Sequence, residues 1–185
     1  MSPEVMRMRL FIALELPGDV RERLARSAAS LETSWTSGRL IPAENYHLTL
    51  VFLGEVPEGR LEDIAEAMEA CPSPPLTLTV GAFGRFRQRG GDVVWRRVSG
   101  GNALFSLQRR LTRELERRGF TLEKREYSPH LTLGRKVILR TGLPEARDEL
   151  PFTVGAMTLF RSDTGRSGAV YTPLRQVDLS KELIE

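Results

Sequence analysis

Residues 45–54 have the sequence Asn-Tyr-His-Leu-Thr-Leu-Val-Phe-Leu-Gly, and residues 128–135 have the sequence Ser-Pro-His-Leu-Thr-Leu-Gly-Arg. Both segments contain the tetrapeptide His-Leu-Thr-Leu. The chain has only two histidines, His47 and His130, and each begins one copy. Successive side chains of a strand point to opposite faces, so each copy predicts a strand with His and Thr on one face and leucines on the other. The leucines would anchor a core. If the two halves pack about a pseudo-twofold axis, the imidazoles and hydroxyls converge on one cleft.

Several strands surround the two tetrapeptides. The apolar run at residues 9–16 predicts a buried first strand, which Pro17 and Gly18 end. Further strands are predicted at residues 46–53, 76–86, 93–98, 121–127, 129–135, 152–161 and 169–178.

Three helices alternate with these strands. They are predicted from the cap Asp19 to residue 31, over residues 59–71, and from the cap Asn102 to a stop at Gly119. Each tetrapeptide follows a helix, which indicates two related halves. The order predicts an α+β fold of two pseudo-symmetric lobes within a single domain over residues 1–185.

The composition excludes several classes of protein. With 41% hydrophobic residues in 185, the chain can bury a core, which argues against global disorder. Its single cysteine argues against a disulfide framework or a cysteine-rich metal site and indicates a reducing compartment. No apolar run is long enough for a membrane span, and residues 1–9 are too polar for a secretory signal. We therefore expect a cytoplasmic monomer without membrane contact and with no obligate protein partner.

The net charge of +3 is unevenly distributed. Residues 1–84 carry 7 basic and 12 acidic side chains, whereas residues 85–185 carry 20 and 12. The excess is mostly arginine between Arg85 and Arg125, and the planar arginine fork matches phosphate oxygens. This pattern predicts a polyanion such as RNA as partner, with the second lobe steering it, although solvated helix faces would give the same count.

Two imidazoles and two hydroxyls around a cleft suit the cleavage of a phosphodiester. A neutral imidazole can take a proton from an attacking hydroxyl or water, and an imidazolium can protonate the leaving oxygen. The ordinary histidine pKa of about 6.5 predicts that both steps operate near neutrality. Thr49 and Thr132 can donate hydrogen bonds to the non-bridging oxygens.

Metal and covalent mechanisms fit the sequence less well. Two histidines without a matching carboxylate or thiol cluster undersupply the three or four ligands of a zinc site, so we expect no metal and no cofactor. No G-x-S-x-G motif supports a serine hydrolase.

The two motif segments and the run Arg-Leu-Phe-Ile-Ala-Leu-Glu-Leu-Pro at residues 9–17 resemble the bacterial and archaeal 2'-5' RNA ligase family. Its members are also called RNA 2',3'-cyclic phosphodiesterases and belong to the two-histidine phosphoesterases. The resemblance implies two antiparallel sheets facing a cleft. It also implies metal-independent hydrolysis of a terminal 2',3'-cyclic phosphate to a 2'-phosphate, with reversible 2'-5' ligation in some members. By this resemblance His47 is the proton donor to the leaving 3'-oxygen and His130 is the acceptor that activates water.

The resemblance also makes Arg135 a phosphate contact. Strict alternation would place Arg135 on the leucine face, so this role requires the strand to end or bulge at Gly134. Phe11, Tyr46 and Tyr127 are candidates for stacking on a nucleobase.

Other functions remain open from the sequence. An RNA- or nucleotide-binding module without turnover would use the same arginines but would not need the histidine pair. A relative acting on another cyclic phosphate, such as a cyclised ADP-ribose, or cleaving RNA by transesterification would need the pair.

Overall fold

The computed structural model describes residues 6–146, 148–166 and 168–180. The α-helices are α1 (Gly18–Ala29), α2 (Leu61–Glu69) and α3 (Gly101–Arg117). Short 3-10 helices follow at Ser30–Ser34, Ala43–Asn45 and Glu58–Arg60. The strands are β1 (Arg7–Glu15), β2 (Trp35–Leu40), β3 (His47–Pro57), β4 (Leu76–Phe86), β5 (Asp92–Ser99), β6 (His130–Leu139), β7 (Leu150–Val154), β8 (Ala156–Gly165) and β9 (Gly168–Asp178).

The strands form two sheets in which all paired neighbours are antiparallel. One sheet has the order β3-β1-β8-β9, and we call it the His47 sheet. The other has the order β2-β6-β5-β4-β7, and we call it the His130 sheet. The order β6-β5-β4-β7 matches β3-β1-β8-β9 strand for strand, and β2 is an additional edge strand beside β6. The predicted α+β fold with two antiparallel sheets is confirmed.

The sheets do not correspond to the two halves of the chain. The His47 sheet combines β1 and β3 with β8 and β9 from the far end of the sequence. The charge imbalance between the halves therefore cannot be assigned to one lobe, which corrects the expectation of a basic second lobe.

The helices bury the faces that their spacing predicts. In α3, four leucines recur at helical spacing and all are fully buried: Leu104, Leu107, Leu111 and Leu115. Gly119, with φ of 82°, follows the end of this helix as predicted. The predicted caps are displaced, because α1 begins at Gly18 after Pro17 and α3 begins at Gly101 after Gly100. Asp19 and Asn102 lie in the first turns instead.

Two predicted strands need correction, and one strand was not predicted. Residues 121–127 form no strand, since their central residues are charged and exposed and offer no apolar face. The predicted strand 152–161 is two strands separated at Gly155, because β7 pairs with β4 whereas β8 pairs with β1 in the other sheet. Strand β2 was not predicted, because it is an edge strand whose residues are mostly exposed and show no alternation of apolar and polar side chains.

No helix in the described part of the chain is long and apolar enough to cross a membrane.

Candidate active site

Each His-Leu-Thr-Leu tetrapeptide begins a strand, and the predicted alternation holds in both. In β3, Leu48 and Leu50 are buried while His47 and Thr49 are half-buried. The four residues that open β6 repeat this pattern. The leucines belong to the large core cluster, which they share with the helices. The core therefore fixes the strands, and their opposite faces present the polar side chains.

Directly after the tetrapeptides, both strands contain a bulge at the same relative position. In β3, Thr49 pairs with Ala13 while Val51 pairs with the preceding residue of β1, so one extra residue is inserted. In β6, Thr132 pairs with Trp95 while Gly134 pairs with Val94, which gives the same insertion.

The bulges change which side chains share a face with the histidines. Leu133 and Gly134 are both directed into the core, so the next residue, Arg135, lies on the face of His130 and Thr132. The corresponding residue of β3 is Phe52. The bulge that a phosphate-binding Arg135 requires is thus present, and Arg135 is exposed.

The two imidazoles are held by equivalent hydrogen bonds. Nδ1 of His47 lies 2.7 Å from the carbonyl oxygen of Asn45, and Nδ1 of His130 lies 2.7 Å from that of Ser128. A carbonyl only accepts, so Nδ1–H donates in both cases. This leaves each Nε2 as the atom that can take or give a proton.

The two strands come together in the molecule. β3 and β6 contact each other, and the Tyr127 hydroxyl donates to the Thr49 carbonyl oxygen at 3.0 Å. The charges of Arg135 and His130 both lower the pKa of His47, and Arg135 also lowers that of His130. The structure therefore brings both histidines and Arg135 into one electrostatic environment.

Burial is the main cause of a low pKa at both imidazoles. Burial lowers the pKa of His47 to about 4, although the hydrogen bond to the Asn45 carbonyl acts in the opposite direction and raises it. Burial also lowers the pKa of His130, as do the charges of Arg125 and Arg135, while the Ser128 carbonyl raises it. Both shifts favour the neutral imidazole in the free protein, whereas the sequence predicted proton transfer by histidines with the ordinary pKa of about 6.5.

Aromatic side chains line both histidines. The ring centroid of His47 lies 4.8 Å from that of Phe11 and 5.1 Å from that of Tyr171, which meets it edge-on. The ring of His130 lies 4.9 Å from Phe86 and 5.8 Å from Trp95. These rings exclude water from the imidazoles and account for the low pKa values.

The three predicted stacking candidates have different environments. Phe11 is buried in a small cluster on the His47 face, with Ala13 and Phe160. Tyr46 is buried in the main core and cannot stack on a base. Tyr127 is partly buried, and its hydroxyl is bonded to β3.

Sequence reasoning missed Arg39, Phe86, Trp95 and Tyr171. Arg39 pairs in register with Arg135, and directly opposed residues share a face, so a second arginine lies beside the histidine strands. It was missed because β2 was not predicted. Trp95 lies against Gly84, where a Cβ would lie 2.1 Å from the indole ring. The signal available for this contact was Gly84 itself, a glycine within β4 opposite Trp95 of β5.

The hydroxyls of Thr49 and Thr132 have no hydrogen-bond partner within the described part of the chain. Both threonines are half-buried on the histidine face. Among the described residues, no three His, Cys, Asp or Glu side chains are grouped so that they could hold a metal ion.

Comparison with known proteins identifies the family. A sequence model described as the 2'-5' RNA ligase superfamily matches residues 17–166. The chain belongs to this superfamily. A relative in Escherichia coli named RNA 2',3'-cyclic phosphodiesterase is 31% identical over 174 residues, covering 94% of this chain and 97% of the relative.

Two further comparisons agree with the superfamily assignment. A Geobacillus stearothermophilus relative of the same name is 31% identical over 166 residues, which cover 85% of this chain, and the chain spans 53% of that relative's length. The crystal structure of Escherichia coli LigT complexed with 3'-AMP superposes with a TM-score of 0.81 at 30% identity, covering 95% of this chain and all of LigT.

Proposed function

We propose that this chain is an RNA 2',3'-cyclic phosphodiesterase that hydrolyses a terminal 2',3'-cyclic phosphate to a 2'-phosphate. The observation that carries the proposal is the pair of equivalent imidazoles, each with Nδ1–H bound to a carbonyl and Nε2 left for proton transfer. The name shared by the relatives supports the substrate class.

In this reaction His130 acts as the base and His47 as the acid. Nε2 of His130 takes a proton from water, whose oxygen attacks phosphorus. The bond between phosphorus and the 3'-oxygen breaks, and the imidazolium of His47 gives its proton to that oxygen. The products are a free 3'-hydroxyl and a 2'-phosphate. The assignment of the two roles rests on the family resemblance, because the hydrogen bonds of the two rings are alike.

The bound substrate favours the protonated form of His47 that the acid step requires. With a pKa of about 4 in the free protein, His47 is protonated in only about one molecule in a thousand at pH 7. The cyclic phosphate is an anion, and an anion beside an imidazole raises its pKa. Substrate binding and protonation of His47 are therefore coupled.

Phosphate binding is assigned to Thr49, Thr132 and Arg135. The two hydroxyls are free to donate to the non-bridging oxygens, where charge is held in the transition state. The Arg135 guanidinium, on the same face, offers a planar pair of donors to the same oxygens. No metal or cofactor is required for these steps.

The same groups can catalyse 2'-5' ligation. If the 5'-hydroxyl of a second RNA replaces water, His130 takes its proton and the 3'-oxygen leaves as before. The product is then a 2'-5' phosphodiester, and the reverse reaction restores the cyclic phosphate.

Histidine substitution tests the proposal. His47→Ala and His130→Ala should each lower kcat for an RNA with a 2',3'-cyclic phosphate end by at least about 100-fold, with unchanged circular dichroism. Activity should persist in EDTA, and the product should carry a 2'-phosphate. Turnover of either variant within a few-fold of the parent would contradict the mechanism. Tight RNA binding without turnover by the parent would instead favour a binding module. Hydrolysis of only a cyclised ADP-ribose would show that the substrate is this nucleotide and not an RNA end.

A further inference from the structure

A cavity lies between the His47 sheet and the segment that leads into β6. Its volume is about 400 Å³, within the range of ligand-binding cavities. Its wall is formed by β1 and β3 on one side and by the segment that leads into β6 on the other: Arg9, Phe52, Leu53, Gly54, Thr121, Glu123 and Arg125. The proposed reaction uses none of these residues.

A continuous row of rings connects the cavity to His47. The His47 ring is 4.8 Å from Phe11, and Phe11 is stacked on Phe52 with a centroid separation of 5.6 Å. Phe11 is buried, whereas Phe52 is 43% exposed at the cavity wall. A large exposed aromatic ring on a rigid strand is the kind of surface on which a base stacks.

An arginine lies on each wall of the cavity. The guanidinium carbon of Arg9 lies 5.9 Å from the centre of the Phe52 ring. Arg9 is exposed and forms no ion pair with any residue that the structure describes. Arg125 lies on the opposite wall, near enough to His130 for its charge to lower the pKa of that imidazole.

One acidic residue, Glu123, opposes this basic character. Its carboxylate lies 3.3 Å from Nε of Arg125, and both side chains are more than half exposed. Exposed pairs of this kind contribute little to stability, so a phosphate can replace Glu123 as the partner of Arg125. The cavity thus offers Arg9, which has no ion pair among the described residues, Arg125, whose carboxylate partner a phosphate can replace, and the exposed ring of Phe52.

We propose that this cavity binds the nucleotide that precedes the cyclic-phosphate end of an RNA. In this arrangement Phe52 stacks on the penultimate base, and Arg9 and Arg125 contact the phosphodiester that joins the last two nucleotides. The proposal rests on the proposed function and adds to it a preference for RNA ends over mononucleotides.

Two substrates separate this site from the catalytic groups. Cytidine 2',3'-cyclic phosphate occupies only the histidine site, whereas the dinucleotide CpC with a 2',3'-cyclic phosphate extends beyond it. For Arg9→Ala and Phe52→Leu, we expect kcat/KM for the dinucleotide to fall about 5- to 100-fold, as loss of a stacked base or a phosphate contact implies. The mononucleotide value should stay within 2-fold. Arg175→Ala is the matched control, because it removes the same charge from a β9 side chain that pairs with Glu69 of α2.

Charge provides a second measurement. Arg9→Ala should reduce the slope of log kcat/KM against log salt for the dinucleotide by about 0.7, the value for one phosphate contact on a single strand. Glu123→Gln should increase kcat/KM for the dinucleotide alone.

Equal losses on both substrates would place Arg9 and Phe52 at the reacting phosphate and overturn the proposal. Unchanged dinucleotide kinetics in both variants would also overturn it. Failure of the parent to hydrolyse either substrate would instead refute the proposed function.

Discussion

Strands β3 and β6 carry the same tetrapeptide, the same bulge and the same hydrogen bond from Nδ1 to the carbonyl two residues earlier. They differ in the two residues that follow. The first strand continues with Val51 and Phe52, and the second with Gly134 and Arg135. A short local pattern thus places both imidazoles, while the residues beyond it make the two sides of the cleft chemically different.

The additional strand β2 explains part of this difference. A Cβ at Gly134 would lie 3.0 Å from the ring of Trp35, which β2 places over the bulge. In the His47 sheet β3 is an edge strand, and the larger Val51 fits there. The same strand β2 brings Arg39 beside Arg135. Strand β2 therefore accounts for the glycine at position 134 and places Arg39 beside Arg135.

The neighbouring strands extend the contrast. The register partner of His47 is Glu15, and that of His130 is Arg97. The charges of Arg125 and Arg135 lower the pKa of His130, and that of Arg135 also lowers the pKa of His47. Positive charge favours a neutral imidazole, which is the form that a base needs. The arginines therefore lie mainly on the side of the His130 sheet, while burial and Arg135 favour the neutral form of both imidazoles.

The largest expected effect concerns the division of roles between the two histidines. If sulfur replaces the 3'-oxygen of the cyclic phosphate, the leaving thiolate needs little protonation. His47→Ala should then recover most of its lost kcat, at least about 30-fold relative to the oxygen substrate, because only the acid step is bypassed.

His130→Ala is the matched variant for this measurement and should show no such recovery, since attack by water still needs a base. Recovery in His130→Ala but not in His47→Ala would reverse the two roles. Equal recovery in both would contradict the division itself.

A smaller effect on the rate is expected when the difference between Phe52 and Arg135 is removed. Arg135→Phe gives both strands the same aromatic residue after the bulge. We expect kcat/KM to fall about 10- to 100-fold through the loss of a charged phosphate contact. Because Arg135 lowers the pKa of both imidazoles, the pH profile of kcat/KM should also move to higher pH. Arg135→Lys should retain the pH profile but recover only part of the rate, as lysine lacks the planar fork. A lower rate with an unmoved profile in Arg135→Phe would place Arg135 away from the histidines.

Much of the fold, and the shared placement of the two candidate histidines at the start of equivalent strands, could be predicted because the signals are local. The alternation in His-Leu-Thr-Leu and the leucine spacing of α3 require no knowledge of distant partners. The face of Arg135 could not be predicted, because the bulge depends on register with β5. β2 has no apolar face, and the membership of β8 and β9 in the His47 sheet follows from pairing across the whole chain.

The low pKa values also depend on tertiary structure. The sequence shows two ordinary histidines, and only packing against Phe11 and Trp95 reveals that each imidazole is shielded from water. Residues 121–127 also show the effect of tertiary structure. They were predicted as a strand, but they form the wall of a cavity that only the folded chain displays.

The last comparison concerns the protonation of the two histidines in the free protein. In an NMR titration assigned with His→Gln variants, both should titrate below 6.5, with His47 near 4. Since the folded pKa of His47 lies below the unfolded one, the unfolded chain binds the proton more readily between pH 6.5 and 4. Acidification across this window should therefore remove stability, by up to about 3 kcal/mol from His47 alone.

Chemical denaturation of the parent and of His47→Gln at several pH values isolates this contribution. The free energy of unfolding should fall more steeply on acidification in the parent, because the variant lacks the imidazole while other titrating groups remain. Equal pH dependence in both proteins would show that burial does not depress the His47 pKa. Protonation of His47 would then not need the bound phosphate, and the coupling between substrate binding and the acid step would be lost.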